Sequence, residues 1–155
     1  MSTSTAFERA FSIGLAVVLV LLAWFAFKAI QHDLIFDELE AEVSFWGRGS
    51  YQPTESTRHS IASRLEKQLQ INPKLTRLRA LEASRLAWEG YWSSTDRDYK
   101  QFSRLAIEAQ YASLATRPAY GQGWSKLLQY QAADELGEEL HEVARVQLQK
   151  LKRWQ

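Results

Sequence analysis

From Phe11 to Phe27 the chain reads FSIGLAVVLVLLAWFAF, with Arg9 and Lys28 as the nearest charges on either side. With its flanks the run reaches about 18–20 residues, which at ~1.5 Å of helical rise per residue crosses a hydrocarbon core of about 30 Å. A helix in a water-soluble core would carry a polar stripe, and this run offers only Ser12 and Gly14. The pattern predicts a transmembrane helix over residues 10–30, preceded by an N-terminal tail at 1–9. A secretory signal has a shorter apolar stretch and a small-x-small cleavage site. Here the stretch ends in Trp24, Phe25 and Phe27 and continues into KAIQHDLIFDELEAE, so we expect a retained anchor.

Beyond Lys28 the pattern becomes amphipathic. Phe36, Leu39, Val43 and Trp46 are spaced three, four and three apart and fall on one helical face, with Asp37, Glu38, Glu40 and Glu42 between them. This predicts a stalk over residues 31–49, continuous with the anchor and ended by Gly47 and Gly49. The stripe is a candidate interface, packing on the protein's own domain or pairing with a partner or a second copy.

Residues 50–155 read as helices throughout. The chain has three prolines and seven glycines, and no stretch alternates with period two. A second helix starts after Gln52-Pro53-Thr54, buries Ile61, Leu65 and Leu69, and ends at Asn72-Pro73. A third runs from about Leu75 to Trp92, and Ser93 to Asp96 supply a turn and a cap. The fourth, about Asp98 to Thr116, closes at Arg117-Pro118. A fifth opens after Gly121 and Gly123 with Trp124, Leu127, Leu128 and Tyr130 inside. Gly137 punctuates, and a sixth runs from Glu138 toward Trp154. Connections this short make neighbouring helices antiparallel, so the expected fold class is all-α: a transmembrane helix, a stalk, then stacked helical hairpins.

The hairpins resemble degenerate tetratricopeptide repeats. Counting back from Pro118 places Ala106 and Leu114 at matching positions of that pattern, with Gln110 where it has an aromatic, and counting forward places Trp124 and Leu127 at its opening positions. Counting back from Pro73 places Ile61, Leu65 and Leu69 likewise. The anchor, AEVSFWGRGSY after it, the INP helix, RLAWEGYW and IEAQYASLATRPAYGQGWSKLL together resemble the VpsP family of bacterial exopolysaccharide biosynthesis proteins. That resemblance implies one N-terminal membrane segment, a tetratricopeptide-like domain, and an accessory role in making or exporting surface polysaccharide.

Charge narrows the partners. With 19 Lys and Arg against 18 Asp and Glu, interspersed, the chain has no electrostatic footprint for nucleic acid. It also lacks a basic cluster beside the membrane for anionic headgroups. After Lys28 the next basic residue is Arg48, which favours a cytoplasmic N-terminus. For a single-pass protein of a bacterial inner membrane, the C-terminal domain is then periplasmic.

Nothing in the sequence points to catalysis or to a cofactor. The three histidines (His32, His59 and His141) share no metal-ligand spacing, and no HExxH, GxSxG, P-loop or dinucleotide turn occurs. Glu138, Glu139 and Glu142, like Asp96 and Asp98, read as acidic first turns at positive helix ends. The expectation is a non-enzymatic adaptor working by protein–protein recognition, with self-association open and an anchored scaffold for division, secretion or membrane-protein assembly as the alternative. Trp92 and Tyr120 flank loops and are candidate partner or glycan contacts. Arg77, Arg79 and Arg85 are candidates for a partner's carboxylates or an acidic sugar.

Overall fold

A computed structural model describes residues 3–153, apart from the side chains of residues 3–10, Ser12 and His32. Trp154, expected in the last helix, lies outside the described residues. The described secondary structure is helical, with no strand among the described residues. The helices are α1 (Thr3–Phe45), α2 (Glu55–Ile71), α3 (Thr76–Tyr91), α4 (Asp96–Leu114), α5 (Gly121–Leu127) and α6 (Glu135–Lys152).

The chain divides into two compact units, Met1–Glu38 and Leu39–Gln155. In the first, α1 begins at Thr3, inside the stretch expected as a tail. It contains the one helix, among the described residues, long and apolar enough to cross a membrane by length and composition. Its apolar stretch buries nothing within the protein, and Leu15, Leu19, Leu22 and Phe25 are each at least half exposed. So large an apolar surface is stable only when something other than water covers it.

The second unit begins at Leu39, within the span expected as stalk, so the last turns of α1 are part of the domain. Leu39, Val43 and Trp46 are all buried there. Phe36, the first residue of the stripe, is buried too and falls in the first unit. The helix stops where Gly47 and Gly49 take left-handed backbone angles (φ 72° and 60°), a conformation costly to side chains with a Cβ.

Side-chain caps fix the starts of α2, α4 and α6. Thr54 and Thr95 accept hydrogen bonds from the backbone N–H groups of Thr57 (3.2 Å) and Asp98 (3.1 Å). Asp134 Oδ1 accepts from Gly137 N at 2.9 Å. That cap starts α6 at Glu135, three residues before the expected Glu138, and places Gly137 inside the helix. Its missing side chain matters for packing: a Cβ would come within 3.1 Å of Ala132. The fifth helix is shorter than expected. It begins at Gly121 and ends after seven residues, leaving Tyr130 in the turn beyond it.

Helix α3 packs most extensively against α4, where Ala83, Ala106 and Ala109 are small enough for close approach. At Gly90 a Cβ would lie 3.3 Å from that of Phe102. A second cluster joins α4, α5 and α6 through Ile107, Leu114, Trp124, Leu127 and Ala144. Tyr130 packs against both clusters. Burying an apolar side chain of the size of leucine stabilises by about 1.5–3 kcal/mol, so these clusters dominate the energetics of the domain.

Candidate functional site: a cationic, aromatic groove

An open groove of about 1210 Å3 is formed within the second unit. On α3, Arg77, Ala80, Ser84, Ala87 and Tyr91 recur at three- and four-residue spacing, so one face of that helix supplies a wall. The end of α1 contributes Glu40 and Val43, and the segment after it Trp46, Gly49, Tyr51 and Gln52. Gln110 and Ser113 of α4 also line it, as do Arg117, Tyr120, Gln122 and Lys126 around α5.

The turn is held closed by backbone hydrogen bonds from Gly47 N to Tyr51 O (3.2 Å) and from Tyr51 N to Arg48 O (3.1 Å). The Tyr51 hydroxyl donates to Glu42 Oε1 at 2.7 Å, which raises the phenol's pKa above its ordinary value. Trp46 Nε1 donates to the same oxygen at 3.3 Å.

Three indoles form a connected group. Trp88 stacks on Trp92 (centroids 5.3 Å apart, planes 23° apart), and Trp46 lies against Trp92 at 5.5 Å and 50°. The Arg58 guanidinium sits over the Trp92 ring at 5.6 Å.

Charge in the groove is one-sided: Arg77, Arg117 and Lys126 line it against a single carboxylate, Glu40. Glu40 pairs with Arg77 at 3.4 Å, both side chains being about half exposed. Lys126 Nζ donates to Ser84 Oγ at 2.8 Å, and Ser84 Oγ in turn donates to the Ala80 carbonyl at 3.0 Å. Burial pushes the Lys126 ammonium pKa below its usual value, and the charge of Glu40 offsets part of that. Gln110 is buried; its Nε2 donates to the Gly123 carbonyl at 3.0 Å, while its Oε1 has no hydrogen-bond partner. A buried acceptor left in that state costs about 1–3 kcal/mol.

No protein-family model, curated protein or solved structure matches the chain. The site therefore rests on its own geometry and chemistry.

Of the residues singled out from sequence, the groove brings together Arg77, Trp92 and Tyr120, along with Val43 and Trp46 of the stripe. Tyr120 is 46% exposed, whereas Trp92 is half-buried, with its ring occupied by Trp88, Trp46 and Arg58. Leu39 is fully buried and lines no part of the groove.

Arg79 and Arg85 lie elsewhere. Arg79 Nε donates to the Pro73 carbonyl at 3.1 Å. Arg85 holds Glu82 with two bonds (2.9 and 2.7 Å) and pairs with Glu89 at 3.6 Å. Burial alone would lower its pKa, but Glu82 and Glu89 outweigh that and hold it above the ordinary value. Glu89 also accepts from Arg58 at 2.6 Å, so Arg85 belongs to an internal ion-pair network.

Lys126, Arg117, Ser84 and Gln110 were not among the sequence candidates. Gln110 was the one with a signal, as an amide in a slot where the repeat pattern has an aromatic.

Proposed function

We propose that the protein is a non-catalytic, membrane-anchored helical accessory protein of the bacterial cell envelope, acting in exopolysaccharide biosynthesis or export by protein–protein recognition. The observation that carries the recognition reading is the open groove lined by Arg77, Arg117, Lys126 and exposed tyrosines. The polysaccharide setting rests on the VpsP resemblance. Anchoring is supported by the uncovered apolar surface of α1, which lipid would solvate.

In this reading the domain is a degenerate tetratricopeptide-like array of antiparallel hairpins, α3 with α4 and α5 with α6. In its support, Ala106, Leu114, Trp124 and Leu127 of the matching slots are buried, as are Ile61 and Leu65 before Pro73, while Leu69 is half-buried. The N-terminus lies in the cytoplasm and the domain in the periplasm.

Two experiments test this. Reporters active only outside or only inside the cytoplasm, fused after Gln155, read the topology; a periplasmic signal is expected. Deletion of the gene should lower surface polymer, and the wild-type chain should restore it. A Ser84→Trp chain, which fills the groove, should not restore it although it still inserts in the membrane. Unchanged polymer on deletion overturns the polysaccharide reading and points to a scaffold of division, secretion or membrane-protein assembly.

A further inference from the structure

We infer that the groove is the seat of an extended, acidic segment of a partner protein, with a carboxylate of that segment docking on Lys126. The inference rests on reading the groove as the recognition surface, and it specifies what the groove holds.

Charge gives the sign of the occupant. Three cations face one carboxylate, and that carboxylate is already engaged with Arg77. Among the described residues Lys126 makes no ion pair, and its ammonium is satisfied by one neutral hydroxyl, that of Ser84. Lys126 is exposed and lines the groove, so the two further donors of its ammonium are open to an entering carboxylate, which supplies charge-assisted acceptors for them.

Lining chemistry gives the type of chain. Docking of an amphipathic helix needs an apolar groove with room for aliphatic anchors. Here the only large aliphatic lining residues are Val43 and Leu81, and both are themselves buried. Four glutamines line the groove instead: Gln52, Gln110, Gln122 and Gln129. Side-chain amides match the alternating donors and acceptors of an extended backbone. At a ~3.3 Å rise and a ~4.8 by ~10 Å cross-section, the groove volume takes roughly eight extended residues.

An acidic sugar chain would share the cation chemistry, but it also needs free aromatic faces. The indoles do not supply them, because Trp92 is taken by Trp88, Trp46 and Arg58. Exposed aromatic surface is left at the tyrosines Tyr51, Tyr91 and Tyr120, of which Tyr51 has its hydroxyl tied to Glu42. The peptide is therefore the better match.

The test uses the full chain in lipid nanodiscs and follows tryptophan fluorescence and calorimetric titration. The probe is a blocked octapeptide alternating Glu and Ser. Comparators are the same peptide with Gln for Glu, and tetragalacturonate as an acidic sugar. The expected result is saturable binding of the acidic peptide, weakened by rising salt and at least about tenfold weaker for the Gln peptide. Lys126→Met should weaken the acidic peptide at least about tenfold and leave the weak Gln peptide unaffected. Arg117→Gln, at an exposed position, gives a second reading if Lys126→Met alters the fold by circular dichroism.

Equal affinity for the Gln peptide, tighter binding of tetragalacturonate, or no binding of the acidic peptide at about 1 mM each overturns the inference. Such a result leaves the accessory role intact if Ser84→Trp still fails to restore surface polymer. Restoration by Ser84→Trp instead removes the groove from the function altogether.

Discussion

Gly47 sits directly beneath the Trp88 indole: a β-carbon on Gly47 would lie 2.0 Å from Trp88 Cη2. The contact ties the turn that ends α1 to α3, and with it the position of the indole group beside the groove. Two independent penalties meet at this position. The left-handed backbone costs a non-glycine residue about 1–2 kcal/mol, and displacing a packed indole costs about 1–3 kcal/mol more.

Gly47→Ala is accordingly expected to destabilise the domain by about 2–5 kcal/mol. Gly49→Ala is the internal control, since its φ is also positive but nothing lies within 4 Å of an added Cβ. It should cost only the backbone penalty, about 1–2 kcal/mol. Urea titrations of the two variants beside the wild type measure the difference. Equal losses at both positions would mean that the indole contact carries no weight.

Arg85 and Arg79 are expected to separate in the same assay. Arg85 is anchored to Glu82 and Glu89 with only 11% of its side chain exposed. Removing one member of a buried ion-pair network leaves its partners' charges uncompensated; full burial costs about 3–5 kcal/mol, less where partners remain. Glu89 keeps Arg58, so Arg85→Gln should cost roughly 1–3 kcal/mol. Arg79→Gln loses one hydrogen bond to a carbonyl and should cost about 1 kcal/mol or less. Neither substitution should change binding at the groove, which contains neither residue.

On the alkaline side, two groups that meet at Ser84 push stability in opposite directions. Burial lowers the Lys126 pKa, so between that value and the unfolded one, about 10.4, the unfolded chain binds more protons and stability rises with pH. Tyr130 is raised by burial, with the Ser84 hydrogen bond lowering it in part. Its folded state keeps the proton above about 10, where the unfolded chain loses it, so this contribution is lost as pH rises through the folded value. Melting temperatures at pH 8, 9.5 and 10.5 should show wild type gaining on Lys126→Met and losing ground to Tyr130→Phe. Differences that stay flat with pH would show that neither group titrates differently in the folded protein.

What the sequence made legible, and what it did not, follows from the range of the interactions. The ends of α2 were readable because Thr54 and Asn72 act on their own neighbours, whereas α4, expected over about Asp98 to Thr116, starts two residues earlier at the Thr95 cap and stops two earlier at Leu114. The apolar slots of α4 and α5 were readable from helical spacing. The start of α6 was misplaced because Gly137 looks like a breaker, and only its packing on Ala132 reveals why a glycine is needed there. The groove was legible only in fragments. Arg77, Trp92 and Tyr120 are marked by their local setting, whereas Lys126 matters because α5 brings it to Ser84, 42 residues away in the chain. Arg85 shows the reverse case: an arginine that reads as a surface candidate is drawn inward by Glu82 and Glu89.

The boundary of the domain gives the sharpest test of the architecture. Sequence pattern places it at residue 50, whereas the compact unit begins at Leu39 and takes the last turns of α1 with it. Leu39, Val43 and Trp46 have at most 3% of their surface exposed. At about 1.5–3 kcal/mol each, their burial is worth about 5–9 kcal/mol, comparable with the whole net stability of a small domain, about 5–15 kcal/mol. A chain starting at Leu39 should therefore fold in water with a cooperative melt, and its packed group Trp46, Trp88 and Trp92 should give a near-ultraviolet circular dichroism signal. A chain starting at Ser50 lacks Trp46 and one wall of the groove, and should lose both the melt and the signal. A cooperative melt from the Ser50 chain would put the domain boundary back where the sequence pattern places it, and make the end of α1 a dispensable stalk.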